Sequence, residues 1–293
     1  MNYTFFKKNI SIIKKFIPDT LFLRLQYKYH LGESLNLVNP KTFNEKIQWL
    51  KLYDRNEEYI NLVDKYSVRK YISKTIGENY LIPLLGIYES VDEINWDDLP
   101  NKFVLKCTHG SSSNIICKNK SELNIKESKK LLQNWMKKNW FWYGREWPYK
   151  MVKPRIICEK YMVDESKNEL KDYKFFCFNG EPKIIQVDYN RYSGHKRNLY
   201  DINWSYIDAS IGVPSDSNVM IKRPEKLDEM LKLAKILAKN YPHVRVDFYF
   251  SNNEIFFGEM TLYHGSGFEI FKPESLGGKM GGWINLNRKK ENV

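Results

Sequence analysis

His243-Val-Arg-Val-Asp-Phe-Tyr-Phe-Ser-Asn-Asn-Glu-Ile-Phe-Phe-Gly-Glu-Met-Thr261 is the stretch whose reading decides the fold. Two apolar, alternating runs flank an Asn-rich turn, which is the pattern of a β-hairpin. Twelve positions separate Asp247 from Glu259. With a three-residue loop, Asn252 to Glu254, position 251 pairs with 255 and Asp247 falls directly opposite Glu259 on one face. Two like charges at that spacing repel unless a cation lies between them. A divalent metal answers this, and hard oxygen ligands suit Mg²⁺.

A second stretch says what the metal would hold. Phe103-Val-Leu-Lys106 leads into His109-Gly-Ser-Ser-Ser-Asn114. This reads as a strand ending in a lysine, followed by a flexible small-residue loop suited to cradling phosphates. Taken alone, a strand-end lysine such as Lys106 or Lys174 is an ordinary solvated edge residue. Asp247 is harder to dismiss, because carboxylates rarely enter apolar strands without a partner.

The 293 residues suffice for a sizeable core and one or two domains. With 20 Tyr, 16 Phe and 8 Trp, the chain reads as globular and not disordered. Its net charge of +12 points to an anionic partner such as a nucleotide, an acidic sugar, a membrane surface or nucleic acid. Residues 1–30 hold six Lys/Arg against one acidic residue, and Arg288-Lys-Lys290 adds to the excess. The cysteines Cys107, Cys117, Cys158 and Cys177 lack CxxC spacing and read as buried free thiols of a reducing cytosol. Ile10 to Ile17 is broken by Lys14 and Lys15, so no signal-peptide pattern is present, and no run reaches membrane-spanning length. The reading is a cytoplasmic protein. Its basic first helix either packs as a solvated face or touches the inner membrane surface.

Along the chain, residues 4–30 read as one or two helices. Thr42 caps a helix through Tyr53, with Glu45 closing a capping box. Glu57 to Thr75 reads as a further helix ended by Gly77. Strands are expected at 80–88, 103–106 and 155–162, and a helix at 122–138. Lys174–Phe178 and Pro182–Val187 flank Asn179-Gly180, a strong hairpin signal. Further strand and turn follow at 197–206, and Leu227 to Tyr241 is an amphipathic helix. Gly277-Gly-Lys-Met-Gly-Gly282 is expected to be a flexible loop without Walker spacing. A helical front followed by strands, helices and antiparallel hairpins gives an α+β body.

In this order the pieces resemble the ATP-grasp fold. The loop after Lys106 is similar to that of D-alanine–D-alanine-ligase-type members. The closer resemblance is to the TupA-like ATP-grasp proteins of bacterial surface-polysaccharide loci. It is carried by Asn39-Pro-Lys-Thr-Phe-Asn-Glu-Lys-Ile-Gln-Trp-Leu-Lys51, Asp64-Lys65, Val104-Leu-Lys106, Glu159-Lys160-Tyr161, Asp172-Tyr-Lys-Phe-Phe-Cys-Phe-Asn-Gly180, Arg245-Val-Asp247 and Gly258-Glu-Met-Thr261. It implies a basic helical extension over 1–38 and a two-lobed catalytic region over 39–285. The lobes would cross near 134–162, and 286–293 would form a basic tail.

The resemblance also implies roles. Lys106 and Lys174 would bind phosphate, so their loss should cost turnover and not folding. Arg245 would join them in catalysis. His109, Gly110, Ser111, Ser112 and Ser113 would form the loop that closes over the triphosphate. The backbone of Glu159, Lys160, Tyr161 and Met162 would read the adenine edge, with Asp164 or Glu165 on the ribose. Asp247 and Glu259 would hold one or two Mg²⁺, with Thr261 standing where many ATP-grasp enzymes carry Asn. Arg191 and Arg197 follow the Asn179-Gly180 hairpin. One of them would fix a substrate carboxylate, or they would form salt bridges to Asp188 or Asp201.

The implied activity is an ADP-forming ligase that activates a carboxylate as an acylphosphate and joins it to an amine. Its partners would be ATP, an acidic sugar or amino acid, and an amine, with no nucleic acid and with contact to polysaccharide assembly machinery. Three alternatives stay open: a glycosyltransferase, for which no Asp-x-Asp is present; a polysaccharide- or nucleic-acid-binding module; and a sugar kinase with the same ATP half-site.

Overall fold

Thr42 Oγ1 accepts from the Glu45 amide and Glu45 Oε2 accepts from the Thr42 amide, the reciprocal capping box expected there. It starts the second of the front helices in the computed structural model, which describes residues 15–163, 170–190 and 194–286. These helices are α1 (Asp19–Leu31), α2 (Phe43–Tyr53), α3 (Glu58–Val63) and α4 (Ser67–Thr75). The single helix expected over 57–75 is thus two. Asp64 breaks it: its backbone is extended, and its carboxylate accepts from the Tyr66 amide and the Ser67 hydroxyl. Asp favours such capping positions over helix interiors.

Four strands, β1 (Leu84–Tyr88), β2 (Phe103–Cys107), β3 (Asn114–Cys117) and β4 (Ile156–Lys160), form an antiparallel sheet in the order β1-β4-β2-β3. Phe103, Leu105, Ile156 and Cys158 bury one face in a core with Leu132 of α5 (Ile125–Met136). By strand alternation, Val104, Lys106, Ile157 and Glu159 share the other face. After α5 the chain makes a short helix, α6 (Phe141–Gly144), whose Phe141 packs with Trp147, Tyr149 and Val152 in the larger core.

That larger core lies about a six-stranded antiparallel sheet, ordered β11-β10-β5-β6-β7-β8. Its strands are β5 (Asp172–Phe178), β6 (Glu181–Tyr189), β7 (Lys196–Tyr200), β8 (Tyr206–Ile207), β10 (His243–Ser251) and β11 (Glu254–Thr261), with β9 (Ser210–Ile211) paired separately to β12 (Phe271–Lys272). Asn179 and Gly180 both take positive φ in the turn joining β5 to β6. Helix α7 (Leu227–Ala238) packs across β5, β6 and β10. The α+β architecture matches the expectation. A smaller apolar cluster seats α1 through Phe22, Leu23 and Tyr27 against Leu35 and Leu37.

The 277–282 segment departs from expectation, for it lies in helix α8 (Ser275–Trp283). Two of its glycines, Gly277 and Gly281, allow close approach. A Cβ on Gly281 would sit 2.1 Å from the Lys41 carbonyl oxygen, at the start of α2. Gly278 and Gly282 have nothing within 4 Å of such an atom. Gly281→Ala is therefore expected to destabilise the fold, since overpacking costs about 1–3 kcal/mol and helix propensity returns only about 1. Gly278→Ala should raise the melting temperature. Equal behaviour of the two variants in thermal melts would contradict this packing account.

Candidate active site

The hairpin brings Asp247 opposite Glu259, by a route different from the one expected. The turn holds two residues, Asn252 and Asn253, both at positive φ, and Ser251 pairs with Glu254. That register alone would set Asp247 against Gly258. A bulge between Asp247 and Phe248 absorbs Gly258 and restores the pairing with Glu259. Gly258 suits the bulge because a Cβ there would lie 3.1 Å from the Asp247 carbonyl.

On β5 the residues opposite β10 complete a charged face. Lys174 stands against Asp247 and Asp172 against Tyr249. Lys174 Nζ lies 3.4 Å from Asp247, 3.3 Å from Asp188 and 3.9 Å from Asp172. It is only 9 % exposed, so it belongs to a buried ion network as well as to the groove. Its removal is therefore expected to cost folding stability as well as phosphate binding. Burial pushes the Asp188 carboxyl up, but Lys174 and Arg197 outweigh this and hold it down at about 2. Arg197 pairs through Nε with Asp188 Oδ1 at 2.7 Å and donates from Nη1 to the Ile211 carbonyl. It is engaged as a salt-bridge residue. Arg191, Asp164 and Glu165 lie outside the described residues.

Arg245 grips Asp247 with two parallel bonds, Nε to Oδ1 and Nη2 to Oδ2, both 2.7 Å. Its Nη1 donates to His264 Nδ1 at 2.6 Å, and Nη2 lies 3.7 Å from Glu259 Oε2. Burial, then the Arg245 charge, holds the His264 imidazole well below its usual range. The ring is therefore neutral and accepts at Nδ1. Its Nε2 lies 3.4 Å from Glu269 Oε1.

The smaller sheet supplies the facing wall. Lys106 Nζ donates to Glu159 Oε2 at 2.6 Å, and Arg69 Nη1 donates to Glu159 Oε1 at 3.1 Å. The Glu159 side chain thus points into the groove and spaces two cations. Lys65, four residues before Arg69, donates to the Gly110 carbonyl and so ties the start of α4 to the Ser loop. Asp64 is fixed by Arg155 at 2.6 Å.

Between the two sheets lies a cavity of about 340 Å³. Lys65, Arg69, Lys106, Lys174 and Arg245 line it, as do Glu159, Asp172, Asp247 and Glu259, with Ile82, Ile157, Tyr249 and Phe257 as its apolar and aromatic walls. Ser111 and Ser112 of the loop reach it, and Ser112 adopts a positive φ. His109, Gly110 and Ser113 line a smaller hollow on the loop's other side with Trp135 and Trp140. Lys160, Tyr161 and Met162 follow or end β4 and do not line the cavity. The sequence reading gave no role to Lys65, Arg69 or Asp172, and gave Asp188 only that of a salt-bridge partner. The i, i+4 spacing of Lys65 and Arg69 at a helix start was the available signal.

Asp247 and Glu259 offer hard oxygens, and Thr261 Oγ1 is buried with no hydrogen-bond partner in the structure. An orphaned hydroxyl beside two opposed carboxylates fits a hydrated divalent cation. No group of three or more His, Cys, Asp or Glu among the described residues is placed to hold a metal. A cation there would draw its remaining ligands from water or from phosphate oxygens, as Mg²⁺ does. Five cations against four carboxylates leave the lining close to neutral. A highly anionic triphosphate therefore gains most if its metal comes with it.

Residues 45–285 match the family model described as TupA-like ATPgrasp. The chain belongs to that family. Its fold is the ATP-grasp fold. No curated protein matches it. Among solved structures, it is similar to the D-alanine–D-alanine ligase of Helicobacter pylori at 15% identity and a TM-score of 0.42, over 83% of this chain and 69% of that one. An N5-carboxyaminoimidazole ribonucleotide synthetase in its ADP complex shows 16% identity and a TM-score of 0.45, over 75% of this chain and 50% of that one. The D-alanine–D-alanine ligase of Bacillus anthracis shows 17% identity and a TM-score of 0.40, over 76% and 59%. The chain thus spans between half and about two thirds of these proteins' lengths. No helix among the described residues is long and apolar enough to cross a membrane.

Proposed function

We propose that this TupA-like ATP-grasp protein binds Mg-ATP in the groove between its sheets, phosphorylates a carboxylate, and passes the acyl group to an amine. The observation that carries this reading is the meeting, across one cavity, of Lys106 and Lys174 with the opposed pair Asp247 and Glu259. Lys65, Arg69 and Lys106 would hold the phosphates from the small-sheet side, with the Ser111 and Ser112 backbone closing over them. Lys174 and Arg245 would hold them from the large sheet. Asp247, Glu259 and Thr261 would hold one or two Mg²⁺. When bound, the metal neutralises charge on the transferring phosphoryl group. Arg245, fixed by Asp247 and His264, aims a preorganised guanidinium at the same place, where fixed charge does most for the transition state.

The carboxylate and amine are proposed by class. An acidic sugar or amino acid suits the groove's Lys and Arg side chains, and the family's surface-polysaccharide setting suggests capsule or O-antigen synthesis on the cytoplasmic side. Phosphorus NMR and mass spectrometry of reactions with Mg-ATP, a panel of uronic and amino acids, and amines will test this. The expected result is ADP and phosphate released in step with a new amide. AMP and pyrophosphate, or a phosphorylated sugar hydroxyl, would overturn the assignment. Sugar transfer from a nucleotide sugar without ATP would do so as well.

A further inference from the structure

We infer that Lys51 is a positioning residue for the metal-binding face: with Gln48 it clamps the His264–Gly267 turn, and through His264 it fixes Arg245 and Asp247. The inference rests on the Mg-ATP reading above. Lys51 is fully buried, far from solvent and absent from the groove lining. Its ammonium lies 2.6 Å from the Ser266 carbonyl, 2.9 Å from the Ser266 hydroxyl, 2.8 Å from the Gly144 carbonyl and 3.1 Å from Gln48 Oε1. Gln48 Nε2 donates to the carbonyls of Ser266 and Gly267 at 3.0 and 2.8 Å.

The clamped turn is one that needs holding. Gly265, Ser266 and Gly267 take φ of 55°, 53° and 67° in succession, and Ser266 has no glycine's freedom there. Gly267 also needs its missing Cβ, which would lie 2.6 Å from Gln48 Nε2. Burial pulls the Lys51 ammonium down to about 7, with Glu146 nearby opposing the shift. An apolar side chain would fill this space without burying a charge. What an apolar side chain cannot do is satisfy the inward-facing carbonyls of Gly144 and Ser266. The turn carries His264, whose Nδ1 accepts from Arg245, and Arg245 holds both oxygens of Asp247. Helix α2 thereby sets a metal ligand that it never touches.

The test is a double-mutant cycle read by calorimetry with Mg-ATP, with ATP in EDTA, and by thermal melts. Lys51→Met and His264→Ala are each expected to weaken Mg-ATP binding by about tenfold, in the range of lost supporting contacts at metal sites. Each should cost metal-free ATP binding clearly less than Mg-ATP binding, because Lys65, Arg69, Lys106 and Lys174 keep their places and only Arg245 is loosened. The double variant should bind no more weakly than the weaker single one, since both act through Arg245. If Lys51→Met does not fold, Gln48→Met, which keeps the ammonium but drops both amide bonds to the turn, must show the same pattern. A lowered melting temperature with unchanged Mg-ATP affinity would overturn the inference, as would penalties that add. If the unaltered protein gains no affinity from Mg²⁺, the nucleotide reading falls and takes this inference with it. If it does gain and the variants keep the gain, only this inference falls.

Discussion

Lys174→Ala is expected to lower folding stability by about 3–5 kcal/mol, the usual cost of removing one partner from a buried charge cluster. Lys174 lies within 4 Å of Asp172, Asp188 and Asp247, and each of these carboxylates is about 2 % exposed. Arg197 and Arg245 still serve Asp188 and Asp247, so the cluster is weakened and not emptied. Lys174→Met should cost nearly as much, because it keeps the volume and loses the charge. Urea titrations at pH 7 measure both. The pH dependence adds a second check. Asp188 is held at about 2, below its unfolded value, so its contribution is present above roughly pH 4 and fades as pH falls toward 2. Without Lys174 the folded-state value rises toward the unfolded one, so this contribution shrinks and is fully lost at a higher pH. A loss below about 1 kcal/mol in both variants would mean the cluster is solvated and not a buried network.

Asp247→Asn is expected to reduce Mg-ATP affinity by about 100-fold, at or beyond the top of the range seen for lost supporting contacts at metal sites. The amide keeps the size of the side chain and can still accept one bond from Arg245. It loses the negative charge that a divalent cation needs. It also leaves Arg245 and Lys174 with one fewer counter-charge, so bare phosphate should be attracted slightly more. The signature is therefore a split: weaker binding with Mg²⁺, and unchanged or slightly stronger binding in EDTA. Thermal melts of the apo variant would separate this from simple unfolding. Equal losses with and without the metal would remove Asp247 from the metal site.

Periodicity made the large sheet legible. The hairpin at 179–180, the helix at 227–238 and the pairing of Asp247 with Glu259 all follow from alternation and turn residues. The last of these was reached with the wrong loop. A two-residue Asn-Asn turn plus a bulge at Gly258 gives the same partner as a three-residue loop, and alternation alone cannot tell them apart. What stayed hidden depended on distant contacts. Asp64 breaks a helix because Arg155, 91 positions away, draws it into a cap. The glycines of 277–282 read as a loop because propensity cannot show the backbone of Lys41 lying against Gly281. Lys65 and Arg69 look like ordinary helix-surface cations until the fold brings the Gly110 carbonyl to Lys65 and Glu159 of β4 to Arg69. For Arg197 the sequence offered both a substrate carboxylate and a salt bridge to Asp188 or Asp201, and only the pairing of β6 with β7 decides for Asp188.

Calorimetric titration of the unaltered protein with ATP, once in Mg²⁺ and once in EDTA, tests the central claim most directly. The near balance of cations and carboxylates in the groove predicts saturable binding with Mg²⁺ and markedly weaker binding in EDTA, with the difference abolished by Asp247→Asn. ATP binding of equal strength in both conditions, or no binding in either, would contradict the reading of this groove as a Mg-ATP site.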